Sequence, residues 1–161
     1  MDANWIGILV AALSSLVVGF VWYNPKVFGK VWMDSIGITE EDTKKGNMAV
    51  RFIVAFVLAG VIAYDLGMSA SHHDAAEQTF MHGAFHAVLN CAKLVLPVII
   101  INALYQQQKV GGIIVDVFYW AVTFAVMGGI LYMWPQPEAA PEPEETGALF
   151  HQAITTIRTL I

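Results

Sequence analysis

Four apolar runs, each long enough to cross a bilayer and nearly free of charge, constrain this chain more than any other feature. They fall at about residues 3–23, 48–66, 80–105 and 111–134. An α-helix rises about 1.5 Å per residue, so roughly 20 residues cover a hydrocarbon core of about 30 Å. Of the 161 residues, 57% are hydrophobic and 13% charged, against about 25% charged in ordinary soluble domains. Too few polar side chains remain to clothe a water-facing surface. The expected fold is an all-α integral membrane protein, a four-transmembrane-helix bundle whose first partner is the lipid bilayer.

The boundaries follow from local chemistry. The first run is preceded by Asp2 rather than by cations, so it reads as a span and not as a cleaved signal peptide. Trp5 at one end and Trp22 with Tyr23 at the other suit the two membrane interfaces. Pro25 stops the helix because its ring cannot continue the hydrogen-bond ladder. Residues 24–38 mix Phe28, Val31, Trp32 and Met33 with Lys26 and Lys30, the pattern of an interfacial segment with snorkelling lysines. Thr39-Glu40-Glu41-Asp42 reads as a capping box, expected to open the helix of the second span.

Beyond Trp134 the composition changes. Pro135, Pro137, Pro141 and Pro143 alternate with four glutamates over residues 135–147, an extended, self-repelling linker. Residues 148–161 then place Phe150, Ile154, Ile157 and Ile161 on one helical face and Gln152, Thr155, Thr156 and Thr159 on the other. About fourteen residues are too short to span. The apolar face of this C-terminal amphipathic helix is expected to dock on the membrane surface, a neighbouring copy or a partner protein.

Charge distribution sets the expected orientation. Five of the eight Lys and Arg residues (Lys26, Lys30, Lys44, Lys45, Arg51) lie between the first run and the first turn of the second, and none lies between the second and third. Lys109 lies between the third and fourth. The positive-inside rule then puts the first and third connections in the cytoplasm and both termini outside. A nucleic-acid binder would show a basic stripe interleaved with aromatics; this chain has none, and that class is discarded.

The third run carries the candidate chemistry. At 100° per residue, His82, His86, Asn90, Lys93 and Pro97 fall within an arc of about 80°. A charge at mid-bilayer costs roughly 2.5–3.5 kcal/mol on insertion scales, so this stripe is expected to face protein or water rather than lipid. Asp116 in the fourth run is the expected counter-charge for Lys93, with Asn102 as a bridging group. Three readings stay open: hydrogen-bonded glue between helices or subunits, a proton or ion pathway, and a metal site. His82 and His86 at i, i+4 present two imidazoles on one face, with His72 and His73 just upstream, a pattern that suits zinc or copper. No other cofactor is indicated, and the HExxH pattern of metalloproteases is absent.

Cys91, the lone cysteine, falls within an apolar run and reads as a buried small residue. Rows of small residues (Gly7, Ala11, Ser14 and Ser15; Ala55, Ala59 and Ala63) suit close helix packing and, by extension, homo-oligomerisation. No nucleophile–base motif, phosphate loop or dinucleotide fingerprint is present. The expectation is a non-enzymatic accessory or scaffold protein, in a homo-oligomer or larger membrane complex. A small channel and a transition-metal binder are the alternatives.

Several blocks carry a family resemblance. Trp22-Tyr23-Asn24-Pro25, then Phe28-Gly29-Lys30-Val31-Trp32-Met33, then Gly37-Ile38-Thr39-Glu40-Glu41-Asp42 and Asn47-Met48 form the most specific part. Asn102-Ala103-Leu104-Tyr105 and the stretch from Asp116 to Trp134, with Met127-Gly128-Gly129-Ile130-Leu131, extend it. In these the chain resembles the small bacterial membrane proteins grouped as domain-of-unknown-function family 1761. That resemblance implies a four-helix protein of a bacterial cytoplasmic membrane and carries no activity. Asp116 and Trp120 depart from the family pattern, and the histidines of residues 72–86 and the tail stand out as additions. Any special role is therefore expected in those segments.

Overall fold

A computed structural model of the chain describes residues 4–71, 73 and 77–134. The linker and the C-terminal helix expected over residues 135–161, with Phe150, Ile154, Ile157 and Ile161, lie outside the described residues, as does His72. Among the described residues all regular structure is helical: α1 (Trp5–Trp22), α2 (Gly29–Ile36), α3 (Glu40–Thr43), α4 (Met48–Ala70), α5 (Phe80–Asn90), α6 (Leu96–Tyr105) and α7 (Val110–Met133). A π turn, Cys91–Val95, joins α5 to α6.

Four helical stretches are long and apolar enough to cross a membrane: Trp5–Trp22, Met48–Ala70, Phe80–Tyr105 and Val110–Met133. They match the four expected spans to within a few residues. The bundle has two ends, named here for α1: a Trp5 end, where α4 finishes and α5 starts, and a Trp22 end, where α4 and α7 start.

The helix starts obey ordinary capping chemistry. Asn4, Asn47 and Thr79 each accept a hydrogen bond from the first turn of α1, α4 and α5. The capping box at Thr39 and Asp42 is present, but it opens the four-residue helix α3 rather than the second span. Gly46, with φ of 88°, breaks the chain after α3, and a separate cap at Asn47 starts α4. Only a left-handed residue makes that turn cheaply, and glycine is the natural one. Hydrogen bonds from Lys45 and Thr39 hold the Asp42 carboxyl at about 2, below the usual carboxylate range.

Helix α7 is the hub. It packs along α5, α1, α2 and α4, and α1 also packs along α4. The core joins Ile8, Ala11 and Ala12 of α1, Ala59, Ala63 and Leu66 of α4, Ala87 of α5, Cys91, and Phe124, Met127 and Leu131 of α7. Small residues dominate it because lipid is as apolar as leucine; van der Waals contact rather than water exclusion holds membrane helices together. Gly7, Ala11 and Ser15 are buried as the small-residue row in α1 implies. In α4 Ala59 and Ala63 are buried, but Ala55 is exposed, so that row is shorter than its spacing suggests.

One close approach, between α5 and α7, is one the sequence did not single out. A Cβ added at Gly83 would meet the carbonyl oxygen of Gly128 and, at 2.6 Å, the side chain of Tyr132. One added at Gly128 would meet Ala87, and one at Gly129 the Phe80 ring. Here α5 and α7 touch backbone to backbone.

The π turn has a local cause. Pro97 offers no N–H, and its ring crowds the carbonyl of Lys93 four residues back. Widening the preceding turn, so that the Leu96 N–H bonds to the Cys91 carbonyl, relieves that clash. One extra residue in a turn rotates everything beyond it by roughly one residue position, about 100°.

Candidate metal centre

That rotation divides the expected polar stripe. His82, His86 and Asn90 precede the π turn and are half-buried, whereas Lys93 within it and Pro97 beyond it are exposed. Asn102 is exposed as well. Lys93 therefore does not face the inside of its own bundle, as uniform helical spacing had implied. Nor does it pair with Asp116. The Asp116 carboxylate instead accepts hydrogen bonds from the Tyr23 hydroxyl (2.8 Å) and the Gln108 side-chain amide (3.3 Å) at the Trp22 end. The two ends of the stripe belong to different sites.

At the Trp5 end the histidines converge. Thr79 caps α5 by accepting from the His82 backbone N–H, so His82 sits in the first turn and His86 one turn later on the same face. Their ring centroids lie 4.5 Å apart. The third imidazole comes from the connection after α4. His73 donates its backbone N–H to the Ala70 carbonyl, and its own carbonyl accepts from the Gln78 side chain, which holds the turn over α5. Its ring centroid lies 5.1 Å from that of His82 and 4.9 Å from that of His86. One ligating atom from each of the three histidines lies within 4.8 Å of the others.

Tyr132, in the last turn of α7, closes the cluster. Its ring centroid lies 5.2 Å from His73, 5.8 Å from His82 and 6.4 Å from His86, the last pair stacked. It can reach them because Gly83 lets α5 and α7 meet without a side chain between them. Glu77 adds a carboxylate, 3.2 Å from Nδ1 of His73. A carboxylate on one ring nitrogen fixes the tautomer and leaves the lone pair of the other free for a metal.

Two features distinguish this group from histidines that merely fill space. Nε2 of His82 is shut off from solvent and makes no hydrogen bond with any described residue, a costly state for a polar atom. Three nitrogens bound at 2.0–2.1 Å to one tetrahedral zinc ion lie about 3.3 Å apart, so the present spacing needs only a modest contraction. The set, three imidazoles with a partner carboxylate, suits zinc, copper(II) or nickel and leaves a fourth position for water.

Of the four histidines expected as ligands, the structure brings His73, His82 and His86 together. Tyr132 was not among the expected site residues, because an aromatic at the end of a span reads as a membrane-interface anchor. Its role shows only once α5 and α7 are packed.

Comparison with curated proteins yields no match, and comparison with solved structures yields none. Among protein families, residues 6–132 match the one described as Protein of unknown function (DUF1761). The match runs from the second residue of α1 almost to the end of α7, and so this four-span membrane protein belongs to that family.

Proposed function

We propose that the protein binds a divalent transition ion, zinc or copper, at His73, His82 and His86. The observation that carries this reading is the convergence of three imidazoles from two segments of chain, one with a buried ring nitrogen that has no hydrogen-bond partner among the described residues. We further propose that the site faces the outside of a bacterial cytoplasmic membrane, with both termini on that side. The five cations gathered between α1 and the start of α4 support this orientation, since they belong on the cytoplasmic side.

The test is metal loading from a defined side. Spheroplasts expressing the protein are exposed to zinc or copper(II), purified gently and analysed for metal. About one equivalent per chain is expected, removable beforehand by a membrane-impermeant chelator and absent from the His73→Ala/His82→Ala/His86→Ala variant. Metal below a tenth of an equivalent in both zinc and copper experiments, or equal metal in the variant, sinks the site. Metal protected from the chelator in spheroplasts but not in inverted vesicles sinks the orientation.

A second reading concerns assembly, and Lys93 favours it. This lysine is exposed near the middle of a span about 39 Å long. Left against lipid, it would cost roughly 2.5–3.5 kcal/mol less whatever snorkelling recovers. Exposed Leu94 and Val98 flank it. A neighbouring copy covering this face would remove the cost, so the protein acts as a homo-oligomer. Lys93→Leu should then alter the oligomer distribution in lipid nanodiscs, read by native mass spectrometry. An unchanged distribution, or a purely monomeric wild type, counts against it.

A further inference from the structure

At the Trp22 end lies a second site, unrelated to the histidines. Ser35 of α2 rests on Gly112 of α7, where a Cβ would collide with its hydroxyl. That contact lays α2 across the start of α7 and carries Trp32 to the rim of an open cleft of about 420 Å³. The size falls within the range of small-molecule sites. Asp116 and Trp120 of α7, Tyr23 at the end of α1, Asn102 of α6 and Gln108 also line it.

The charge in this cleft is unbalanced. Among the described residues the hydrogen-bond partners of Asp116, the Tyr23 hydroxyl and the Gln108 amide, are both neutral donors. Among the described residues no cation lies within salt-bridge distance of it. Lys109, the nearest basic residue along the chain, is engaged 3.0 Å from Asp34. Asp116 is nevertheless half-buried and about 9 Å along α7 from Val110. A carboxylate in such a place calls for a positive partner.

The surroundings are held in position. The Tyr23 ring packs edge-on to Trp32 at 5.2 Å and against Tyr119 at 4.9 Å. The connection between α6 and α7 turns through Gln107, a non-glycine residue with φ of 55°. Such a conformation is strained for a residue with a side chain and persists where the surroundings impose it. Next to it, the Gln108 amide reaches both Ser35 and Asp116 at 3.3 Å.

We propose that this cleft binds a primary ammonium group. The carboxylate supplies the counter-charge, the side-chain oxygen of Asn102 a further acceptor for N–H donors, and the Trp32, Trp120 and Tyr23 rings a cation–π wall. A bare metal ion needs neither so much room nor aromatic walls. The ammonium can come from an ethanolamine lipid headgroup or from a free amine.

The test uses protein in phosphatidylglycerol nanodiscs, with ethanolamine as ligand and uncharged ethylene glycol as a control of equal size. Saturation-transfer NMR should show saturable contact with ethanolamine and none with ethylene glycol. Asp116→Asn should weaken ethanolamine binding about tenfold or more. Should that variant misfold, Asn102→Leu places a residue natural to membrane helices at an exposed position and should weaken binding roughly threefold or more. Nanodiscs that also contain phosphatidylethanolamine distinguish the source: loss of the ethanolamine signal identifies the headgroup as occupant, and its persistence identifies a free amine. Equal signals from ethanolamine and ethylene glycol, or unchanged binding in a folded variant, would overturn the assignment.

Discussion

Gly83→Ala should destabilise the folded protein by about 1–3 kcal/mol, whereas Gly60→Ala, the same substitution in α4, should stabilise it by up to about 1 kcal/mol. The two glycines differ in what a methyl group would meet. At Gly60 there is nothing within 4 Å, so alanine brings only its better helix propensity. At Gly83 the new Cβ would strike the Gly128 carbonyl oxygen and the Tyr132 side chain. Backbone cannot swing aside as a flexible side chain can, so α5 must lift off α7. The opposite signs make the comparison internally controlled, because both changes share one chemistry. Denaturation of the two variants by SDS in mixed micelles reads the difference directly. A neutral Gly83→Ala would mean that α5 and α7 are not in backbone contact, and the position of Tyr132 over the histidines would lose its support.

The second large effect is on metal affinity. Glu77→Gln should weaken zinc binding about 10–100-fold, the usual consequence of removing a group that orients a ligating histidine. The Glu77 carboxylate lies 3.2 Å from Nδ1 of His73, where it favours the tautomer that donates Nδ1–H to it. This pins the ring and makes the opposite nitrogen a better donor to a metal. An amide keeps the shape of the side chain but loses the charge that strengthens the hydrogen bond. His82→Ala removes a ligand altogether and should weaken binding further still. Glu40→Gln serves as a control: its carboxylate lies in an exposed ion pair with Lys44 at 3.6 Å and has no path to the histidines. Competition with a chromogenic chelator measures all three variants. Equal affinities for Glu77→Gln and the wild type would show that His73 is oriented by something else. An unchanged affinity in His82→Ala would remove the metal centre itself.

These two predictions meet at one place, the contact between the first turns of α5 and the last turns of α7. Gly83 lies one residue from His82 and three from His86, so the position that admits Tyr132 is embedded between two ligands. The bundle and the site are therefore mechanically linked. Prising α5 from α7 at Gly83 should also impair metal binding, while destabilising the α1 to α4 contact should not.

What could be read from residues alone divides along physical lines. The four spans were legible because hydrocarbon imposes a length and a polarity on any segment that crosses it, and both are local properties. The capping residue Thr39, the stop at Pro25 and the pairing of His82 with His86 at one helical turn are local in the same sense. The expected counter-ion for Lys93 failed for an equally physical reason. Extrapolating a stripe assumes uniform helical phase, and Pro97 forces the π turn Cys91–Val95 that breaks it.

The composition and periodicity of the chain determined by themselves that it would be a set of four membrane helices, roughly where each would lie, and which side chains two helical turns could place together. Tertiary packing alone decided that His73 folds over His82 and His86, that Tyr132 closes over them, and that Asp116 pairs with Tyr23 rather than with Lys93. Hydrophobic length acts residue by residue along one helix, whereas a site is assembled from helices whose mutual approach depends on steric details such as the absence of a single methyl group at Gly83.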